Sequence, residues 1–370
     1  MSNDEQEVKK VFGHLKKEVP SELCVTCGAC VSACPLGSLE IEEGSPALKG
    51  QCTACGLCYA QCPQIVTDEE IQTRIFGSEP RDSVGHYEKA YSAQARSSDI
   101  KVKAQDGGVV TALLSALLET GFIDGAIVMG IGDEPWKPEP RIITSQKELL
   151  ECAGTKYSSA PTLTKLRETI DYYSLEELVL VGTPCQIKAY RQMSTGEKSV
   201  PRITSSIKLT IGLFCMESFS YEGFFKKVIE DQLDLSLSEI AKFDVQRGNF
   251  VIYREGKPKR ELGIDGLAQF SFTSCRICSD FTSELADISI GSVGTPSGYS
   301  TVLLRTEIGE QAFNQALRVD RLETESLNDD GPELEILRKV ADKKKNNAER
   351  EIQIRRKKDQ SLPPRLKEKD

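Results

Sequence analysis

Histidine is nearly absent from this chain of 370 residues, which has only His14 and His86. A Rieske-type iron–sulfur centre needs two imidazole ligands and would have to use both of these distant residues. Neither histidine stands beside a recognisable nucleophile motif, so a Ser-His-Asp or Cys-His catalytic system is also disfavoured. The chemistry of the protein is therefore expected to depend on other side chains and on an organic cofactor.

Long hydrophobic runs are also lacking. The most apolar stretch, residues 109–132, is interrupted by Glu119, Asp124 and several glycines. This pattern predicts a buried helix followed by a buried strand, not a membrane span. The opening residues, MSNDEQEVKKVFGHLKKEVP, are charged throughout and do not resemble a signal peptide. We therefore expect a cytoplasmic protein.

Cysteine, in contrast, is abundant, with thirteen residues in the chain. Hydrophobic residues make up 39% of the sequence and charged residues 28%, as in ordinary soluble globular proteins, and the length allows two or three domains. In a reducing compartment, a dense and regularly spaced set of cysteines is more often metal-binding than disulfide-bonded.

Eight of these cysteines form a repeat. The segments CVTCGACVSACP and CTACGLCYAQCP share the frame C-x2-C-x2-C-x3-C-P, which is typical of two-cluster bacterial ferredoxins, where the fourth cysteine of each run ligates the other cluster. The frame assigns one [4Fe–4S] cluster to Cys24, Cys27, Cys30 and Cys62, and a second to Cys52, Cys55, Cys58 and Cys34. A pair of structural zinc sites is the alternative, although these typically combine two C-x2-C units.

The rest of the chain differs in composition and divides into segments. We expect an N-terminal extension at 1–17, a ferredoxin-like domain at 18–75, a linker at 76–90, a larger domain at 91–335 and a basic tail at 336–370. In the larger domain, apolar strands alternate with helical patterns, and residues 240–263 are typical of a β-hairpin or meander. The prediction is an α+β ferredoxin-like domain followed by an α/β domain with a mostly parallel sheet. Ligands of such sheets bind at the carboxyl ends of the strands, where Gly182, Thr183 and Pro184 would lie.

No dinucleotide-binding fingerprint occurs in the larger domain. The glycines of GSVGTPSG at 291–298 have the wrong spacing, and MGIGDEP stops after two. The better candidate for a phosphate contact is QDGGVVTALL, because Gly107 and Gly108 would leave backbone N–H groups uncovered where a helix begins, and Thr111 offers a hydroxyl. A simple tight turn at the two glycines is the alternative.

Four further cysteines suggest a third metal site. Cys185 follows a predicted strand in GTPCQ, Cys215 ends the predicted strand IGLFC, and Cys275 and Cys278 have metal-ligand spacing in CRIC. Cys185 and Cys215 are equally consistent with buried, small hydrophobic residues. Cys152 remains without a partner, and we expect it to be a packing residue.

Four motifs resemble one family: QDGGVVTALL, GTPCQIKAY, CRICSDFTSELADISIGSVG and STVLLRTEIGEQAF. In this order they are similar to the β-subunits of coenzyme F420 hydrogenases and dehydrogenases, over about residues 90–320. Coenzyme F420 is an 8-hydroxy-5-deazaflavin. Because two ferredoxin repeats precede the domain, the chain most resembles the electron-input subunit of the membrane F420H2 dehydrogenase.

The resemblance implies one FAD, coenzyme F420 as hydride partner, and a [4Fe–4S] cluster on Cys185, Cys215, Cys275 and Cys278. It also implies flavin contacts, for which the candidates are Asp106, Gly107, Gly108, Thr111, Lys156, Tyr157 and Thr183. Lys156 and Tyr157 lie in GTKYSS, which is similar to a flavin-pocket segment of the family. For Lys156, a solvated loop lysine is the alternative.

The function that this resemblance implies is hydride exchange between coenzyme F420 and FAD, followed by transfer of single electrons through the clusters to a partner complex or ferredoxin. No general acid or nucleophile is required, so no catalytic side chain is assigned. One alternative is a non-catalytic iron–sulfur relay within a larger complex. Another is a reductase of a different organic substrate, since the family also includes formate dehydrogenase, sulfite reductase and chlorophyll-pathway members.

The charge is unevenly distributed along the chain. The net charge is −9, yet residues 338–370 contain thirteen Lys or Arg and only six Asp or Glu. We expect this tail to begin as an exposed helix and to fray after Pro363. It is either simply solvated or a docking element for an acidic subunit or an anionic membrane surface, at the periphery of a membrane complex. Nucleic acid is not an expected partner, because the body of the protein is acidic.

Overall fold

The computed structural model describes residues 11–78, 80 and 82–367. Most of the predicted N-terminal extension and the last three residues of the tail therefore lie outside the described residues. The helices are α1 Phe12–Glu18, α2 Ala29–Ser32, α3 Leu57–Ala60, α4 Asp68–Phe76, α5 Ser98–Lys103, α6 Val109–Glu119, α7 Gln146–Glu151, α8 Lys165–Glu168, α9 Pro184–Thr195, α10 Pro201–Thr204, α11 Thr273–Arg276, α12 Glu307–Arg318 and α13 Pro332–Lys357. Two π-helical segments are Thr169–Tyr173 and Tyr221–Gln232.

Three sheets contain all the named strands. The strands are β1 Leu39–Glu42, β2 Ser45–Leu48, β3 Lys89–Ala95, β4 Gly125–Ile131, β5 Pro138–Ile143, β6 Leu178–Gly182, β7 Ile207–Leu213, β8 Ile240–Gln246, β9 Asn249–Arg254, β10 Lys257–Gly263, β11 Ile288–Gly291, β12 Ser300–Leu304 and β13 Leu322–Ser326. Strands β1 and β2 form a hairpin, and β8, β9 and β10 form the predicted meander. The other eight strands form one sheet in the order β13-β3-β12-β11-β7-β6-β4-β5.

The prediction of a mostly parallel sheet is wrong, because the large sheet is mixed. Among the described residues, parallel pairing is confined to the centre, where β11, β7, β6 and β4 are neighbours. The outer pairs are antiparallel. Parallel neighbours need a long crossover, whereas the short connections at 132–137 and 292–299 return the chain directly beside the strand it has just left.

Two hydrophobic cores lie against the large sheet. In one, α6 is buried along most of its length and packs with α12. This core also contains Cys152, which confirms its prediction as a packing residue. In the other, α9 packs with Leu178 and Leu180 of β6, and with Cys27 and Ala29 from the first cysteine segment. The N-terminal cysteine-rich part is therefore continuous with the core of the larger domain.

The basic tail does begin as a helix, α13, but this helix is not simply exposed. Its buried residues are Leu334, Leu337, Ala341, Lys344, Ala348 and Arg355. The prediction that the chain frays after Pro363 is also wrong for the described residues, since Arg365 donates a hydrogen bond to Gln64 Oε1 at 2.7 Å. No described helix is both long enough and apolar enough to span a bilayer.

Candidate iron–sulfur and flavin sites

The two cysteine repeats adopt the same backbone conformation. Thr26 and Ala54 have positive φ angles of 51° and 56°, and glycines with positive φ begin the short helices α2 and α3. In each repeat, the backbone N–H two residues after the first cysteine points back towards its thiol: Thr26 N lies 3.4 Å from Cys24 Sγ, and Ala54 N lies 3.4 Å from Cys52 Sγ. Left-handed turns of this kind bring three closely spaced cysteines to one side of a loop.

The fourth cysteine of each repeat lies with the other repeat, as the ferredoxin frame predicts. One cavity of about 20 Å³ is lined by the thiols of the second set, Cys34, Cys52, Cys55 and Cys58. The pKa of Cys62 is raised to about 12 by burial, with a contribution from the nearby Cys24 thiol. The pKa of Cys30 is raised by burial and then by the other thiols, among which are those of Cys27, Cys24 and Cys62. Cys24, Cys27, Cys30 and Cys62 are called the first set.

A third set of thiols surrounds a cavity of about 50 Å³ in the larger domain and consists of Cys185, Cys215, Cys275 and Cys278. Cys185 is the second residue of α9, directly after β6, and Cys215 follows the end of β7. Cys275 lies in α11 and Cys278 just after it. The parallel strands β6 and β7 thus deliver two thiols at their carboxyl ends, where α/β sheets place their ligands.

All three sets fit iron–sulfur cubes in the kind of donor they present. Burial raises the pKa of Cys185 to about 12 and also raises that of Cys215, so these thiols become thiolate ligands only when a strongly binding metal group displaces their protons to solvent. A single ion would need three or four donors meeting at one point, and no such group of His, Cys, Asp or Glu occurs among the described residues. The thiols of the second and third sets instead line cavities.

The third set adjoins the first set. Val25, Pro63 and Gln64 from the cysteine-rich part line the same cavity as Cys185. Ser274 Oγ donates a hydrogen bond to the carbonyl oxygen of Cys24 at 3.3 Å. The Cys27 thiol is also close enough to contribute to the raised pKa of Cys185, after burial and the third-set thiols. The first set thus adjoins the third set on one side and also approaches the second set, since Cys58 is among the thiols that raise the pKa of Cys30.

The second set reaches the surface at one of its four thiols. Cys52 is exposed, whereas Cys27 and Cys30 of the first set are buried. Two leucines beside the second set are also unusually open, with Leu36 52% exposed and Leu48 42% exposed. The surface at the second set therefore combines the exposed thiol of Cys52 with an apolar rim, which consists of Leu36 and Leu48.

The predicted phosphate loop lies at the start of α6. Gly108 has a φ of 72° and is the N-cap residue, and no side chain caps the helix. Gly107 is explained by packing, since a Cβ there would lie 2.6 Å from the Ala93 carbonyl oxygen. Asp106 accepts a hydrogen bond from Gly298 N at 2.7 Å and so holds the glycine-rich segment 291–298 over this helix terminus. Thr111 is buried in the first turn.

The ammonium group of Lys156 is bound to backbone carbonyl oxygens. Lys156 is buried, and its Nζ donates hydrogen bonds to the carbonyl oxygens of Cys152, Ala153 and Gly154, which follow the end of α7. Burial lowers its pKa to about 8. The alternative of a solvated loop lysine is wrong, because the side chain is buried and closes the end of a helix.

Tyr157 and Thr183 lie in different places. The Tyr157 ring packs edge-on against Phe250 with centroids 5.3 Å apart, and burial followed by the charge of Asp244 raises its pKa. It therefore lies on the side of the larger domain that carries the small meander. Thr183 Oγ1 lies 3.3 Å from Cys185 Sγ. The structure thus groups Thr183 with the third set, and it brings Tyr157 close enough to Asp106 for that carboxylate to contribute to the raised pKa of Tyr157.

Three basic side chains that line the third cavity were not predicted: Lys188, Lys344 and Arg365. Lys188 is buried and pairs with Asp68 at 2.8 Å. Its place three residues after Cys185, one helical turn along α9, was the only available sequence signal. Lys344 and Arg365 come from the basic tail, where nothing in the pattern distinguishes them from their neighbours.

Comparison with known proteins identifies the family. Residues 90–167 and 175–330 match the N-terminal and C-terminal domains of the coenzyme F420 hydrogenase/dehydrogenase beta subunit, and residues 18–40 match a 4Fe-4S binding domain. The beta subunit of the coenzyme F420 hydrogenase of Methanosarcina barkeri is 35% identical over 74% of this chain and 94% of its own. A subunit of the F(420)H(2) dehydrogenase of Methanosarcina mazei is 32% identical over 90% of this chain and 92% of its own.

A solved structure is similar as well. It is a chain of the F420-reducing [NiFe] hydrogenase complex from Methanosarcina barkeri, with a TM-score of 0.72 and 33% identity. The similarity covers 77% of this chain and 98% of that chain.

Proposed function

Because the chain belongs to the family of coenzyme F420 hydrogenase/dehydrogenase beta subunits, we propose that it is an F420H2-oxidising or F420-reducing iron–sulfur flavoprotein. Family membership supports an oxidoreductase role in electron transfer linked to coenzyme F420. The finer proposal is that FAD exchanges a hydride with coenzyme F420, and that three [4Fe–4S] clusters connect this site to a redox partner.

The observation that carries the proposal is the adjacency of the three thiol sets. The third set is part of the larger domain, Val25 and Pro63 next to cysteines of the first set line the third cavity, and the second set reaches the surface at Cys52. Such an arrangement supports a single path between the interior of the larger domain and the outside. A protein with only structural metal sites would have no need for three sets to adjoin one another.

A deazaflavin has carbon in place of the flavin N5, so it exchanges hydride, whereas an iron–sulfur cluster takes one electron at a time. A bound FAD supplies the conversion between two-electron and one-electron chemistry. The uncapped N–H groups at the start of α6 are suited to an anionic phosphate, because a helix terminus carries partial positive charge. Asp106 positions the 291–298 segment beside that terminus.

We propose that the redox partner docks at the second set. Residues 18–75 contain eight Asp or Glu and only two Lys or Arg, so a basic partner surface would be attracted to it. Leu36 and Leu48 would be buried on docking, which would bring the partner close to the second set. The partner is another subunit of an F420-linked complex or a ferredoxin, and association with a membrane complex on its cytoplasmic side is part of the proposal.

An anaerobic reconstitution tests this function. We expect about one FAD and about twelve iron atoms per chain, four for each of three clusters, and reduction of a one-electron dye by F420H2. Iron near eight with flavin bound would contradict the third cluster alone. A fully loaded protein that does not react with F420H2 would point to another hydride partner. A chain that binds no flavin would be an electron relay and not an enzyme.

A further inference from the structure

The C-terminal helix α13 places a lysine inside the third cavity. Lys344 is only 4% exposed and lines the cavity together with Cys185, Cys215, Cys275 and Cys278. Its Nζ donates hydrogen bonds to the carbonyl oxygens of Cys215 and Met216 at 2.6 and 2.7 Å. The side chain is therefore held against the loop that carries one of the four thiols.

Lys344 differs from Lys188 and Lys345 in having no carboxylate partner among the described residues. Arg365 also lacks one, but it is only partly buried and donates to Gln64 Oε1 and to the Ile277 carbonyl oxygen. Within the described part of the chain, no Asp or Glu oxygen is within ion-pair distance of the Lys344 Nζ, whereas Lys188 pairs with Asp68 and Lys345 pairs with Glu284. Asp280 also lines the cavity, but its carboxylate accepts the N–H of Glu284. An isolated buried ammonium is costly, so such a group requires a counter-charge.

Asp68 and Asp280 are the two carboxylates in the cavity lining. The other groups of the lining that can carry a negative charge are the four thiols of the third set. We propose that Lys344 is the counter-charge of a four-thiolate iron–sulfur cluster at the third set, and that it raises the reduction potential of that cluster. The inference rests on the proposed function, which puts a cluster there. Lys344 is a positioning residue in this proposal, because it acts on the ligand-bearing loop and on the charge of the site.

The direction of the effect follows from electrostatics. A cube bound by four thiolates is anionic, and one added electron makes it more negative, with no bond formed or broken. A fixed positive charge beside it stabilises the reduced state more than the oxidised state. The charge of Lys344 thus favours reduction of the cluster at the third set over its oxidation. In this way a residue of the C-terminal tail contributes to the redox site.

The test is a redox titration of the loaded full-length protein, followed by electron paramagnetic resonance. We expect Lys344→Met to lower the midpoint potential of the third cluster by at least about 59 mV, equal to a tenfold change in the equilibrium constant for its reduction. Lys344→Arg should stay close to the natural protein. Lys343→Met, which removes a lysine from the exposed side of the same helix, should also leave the midpoint unchanged. An unshifted midpoint in Lys344→Met, with its iron complete, would overturn the proposal.

A second comparison, of iron content among three Lys344 variants, tests the case in which the substitution removes the cluster. In Lys344→Gln, the amide can still donate to the two carbonyls but the charge is gone. Loss of about four iron atoms per chain from both neutral variants, with full iron in Lys344→Arg, would support the requirement for charge. Equal loss in all three variants would show a packing role and would overturn the proposal. Failure of the underlying function is distinguishable, because the natural protein itself would then hold about eight iron atoms.

Discussion

The backbone N–H of Leu163 donates a hydrogen bond to the carbonyl oxygen of Cys27 at 2.9 Å. This bond joins the middle of the first cysteine loop to the larger domain. The residues that follow these two, Gly28 and Thr164, also approach each other closely, since a Cβ on Gly28 would lie 2.9 Å from the backbone nitrogen of Thr164. The first thiol set is therefore held in a fixed position relative to the third set, which a flexibly linked ferredoxin domain would not achieve.

This close approach predicts that Gly28→Ala is strongly destabilising. The substitution introduces a side chain at a φ of 87° and a contact with the Thr164 backbone, which cannot move aside like a flexible side chain. Gly77→Ala is the matched control, because Gly77 also has a positive φ, of 70°, but no atom lies within 4 Å of its added Cβ. We expect a loss of about 1 kcal/mol for the control, and clearly more for Gly28→Ala, in denaturant unfolding. Equal losses in the free energy of unfolding would contradict a close contact between Gly28 and Thr164.

The exchange of the fourth cysteines predicts a specific pattern of iron loss. If Cys34 belongs with Cys58, the double variant Cys34→Ala/Cys58→Ala loses one cluster and keeps about eight iron atoms per chain. Cys34→Ala/Cys30→Ala removes ligands from two clusters and keeps about four. Iron and labile sulfide assays of the purified variants measure this difference. The reverse pattern would mean that each repeat supplies its own cluster.

The helix terminus at α6 predicts that a negative charge there blocks flavin binding. Val110 is the second residue of α6 and is partly exposed. Asp at this position is favourable for the helix itself but repels a phosphate, so Val110→Asp should fold and bind FAD at least about tenfold more weakly. Val110→Asn, of the same size without the charge, is the control. Unchanged FAD affinity in Val110→Asp would place the phosphate elsewhere.

The apolar rim of the second set predicts that one substitution there affects electron transfer to a protein acceptor but not to a small dye. Leu36→Asp should leave reduction of a small one-electron dye unchanged and raise the KM for a protein acceptor about tenfold, because it removes an apolar contact and adds charge to an acidic surface. Val102→Asp changes a large hydrophobic side chain that is 85% exposed and does not line the cavity of the second set. If both variants behave alike with the protein acceptor, the rim is not the docking surface.

A buried ion pair between Arg191 of α9 and Asp287, which precedes β11, predicts a pH-dependent contribution to stability. Asp287 lies 2.9 Å from Arg191 and accepts hydrogen bonds from Thr210 and Thr306. Burial alone would raise its pKa, but Arg191 and Thr210 outweigh burial and hold the pKa of Asp287 below its usual value. Its contribution is therefore fully present above the unfolded-state pKa of about 3.9 and is lost as the pH falls through the folded-state pKa.

Asp287→Asn should accordingly destabilise the protein by about 3 kcal/mol, with a constant difference between about pH 5 and pH 8. Urea unfolding at several pH values measures this difference. Asp320→Asn is the control, since Asp320 pairs with Arg96 on the surface and should matter by less than about 1 kcal/mol. A difference that disappears near neutral pH would contradict the assignment of Asp287 as an ionised partner.

Several features followed from sequence because they depend on local spacing. The place of Cys34 beside the second repeat, the start of α6 at Gly108 and the β8–β10 meander all follow from short-range sequence patterns. The thiols of the third set were also found, since strand ends in α/β sheets converge. The mixed sheet was missed, because pairing direction depends on which distant strands become neighbours.

The sequence by itself determined which residues can ligate metal and which family the chain resembles, since both depend on residue type and spacing. Only the tertiary structure decided which charged side chains lie beside the predicted cysteine ligands. Lys344 and Lys343 are adjacent and chemically identical, yet one is buried beside Cys215 and the other is exposed. The physical reason is the 3.6-residue turn of α13, which directs neighbouring side chains to different faces, combined with packing that covers only one of those faces.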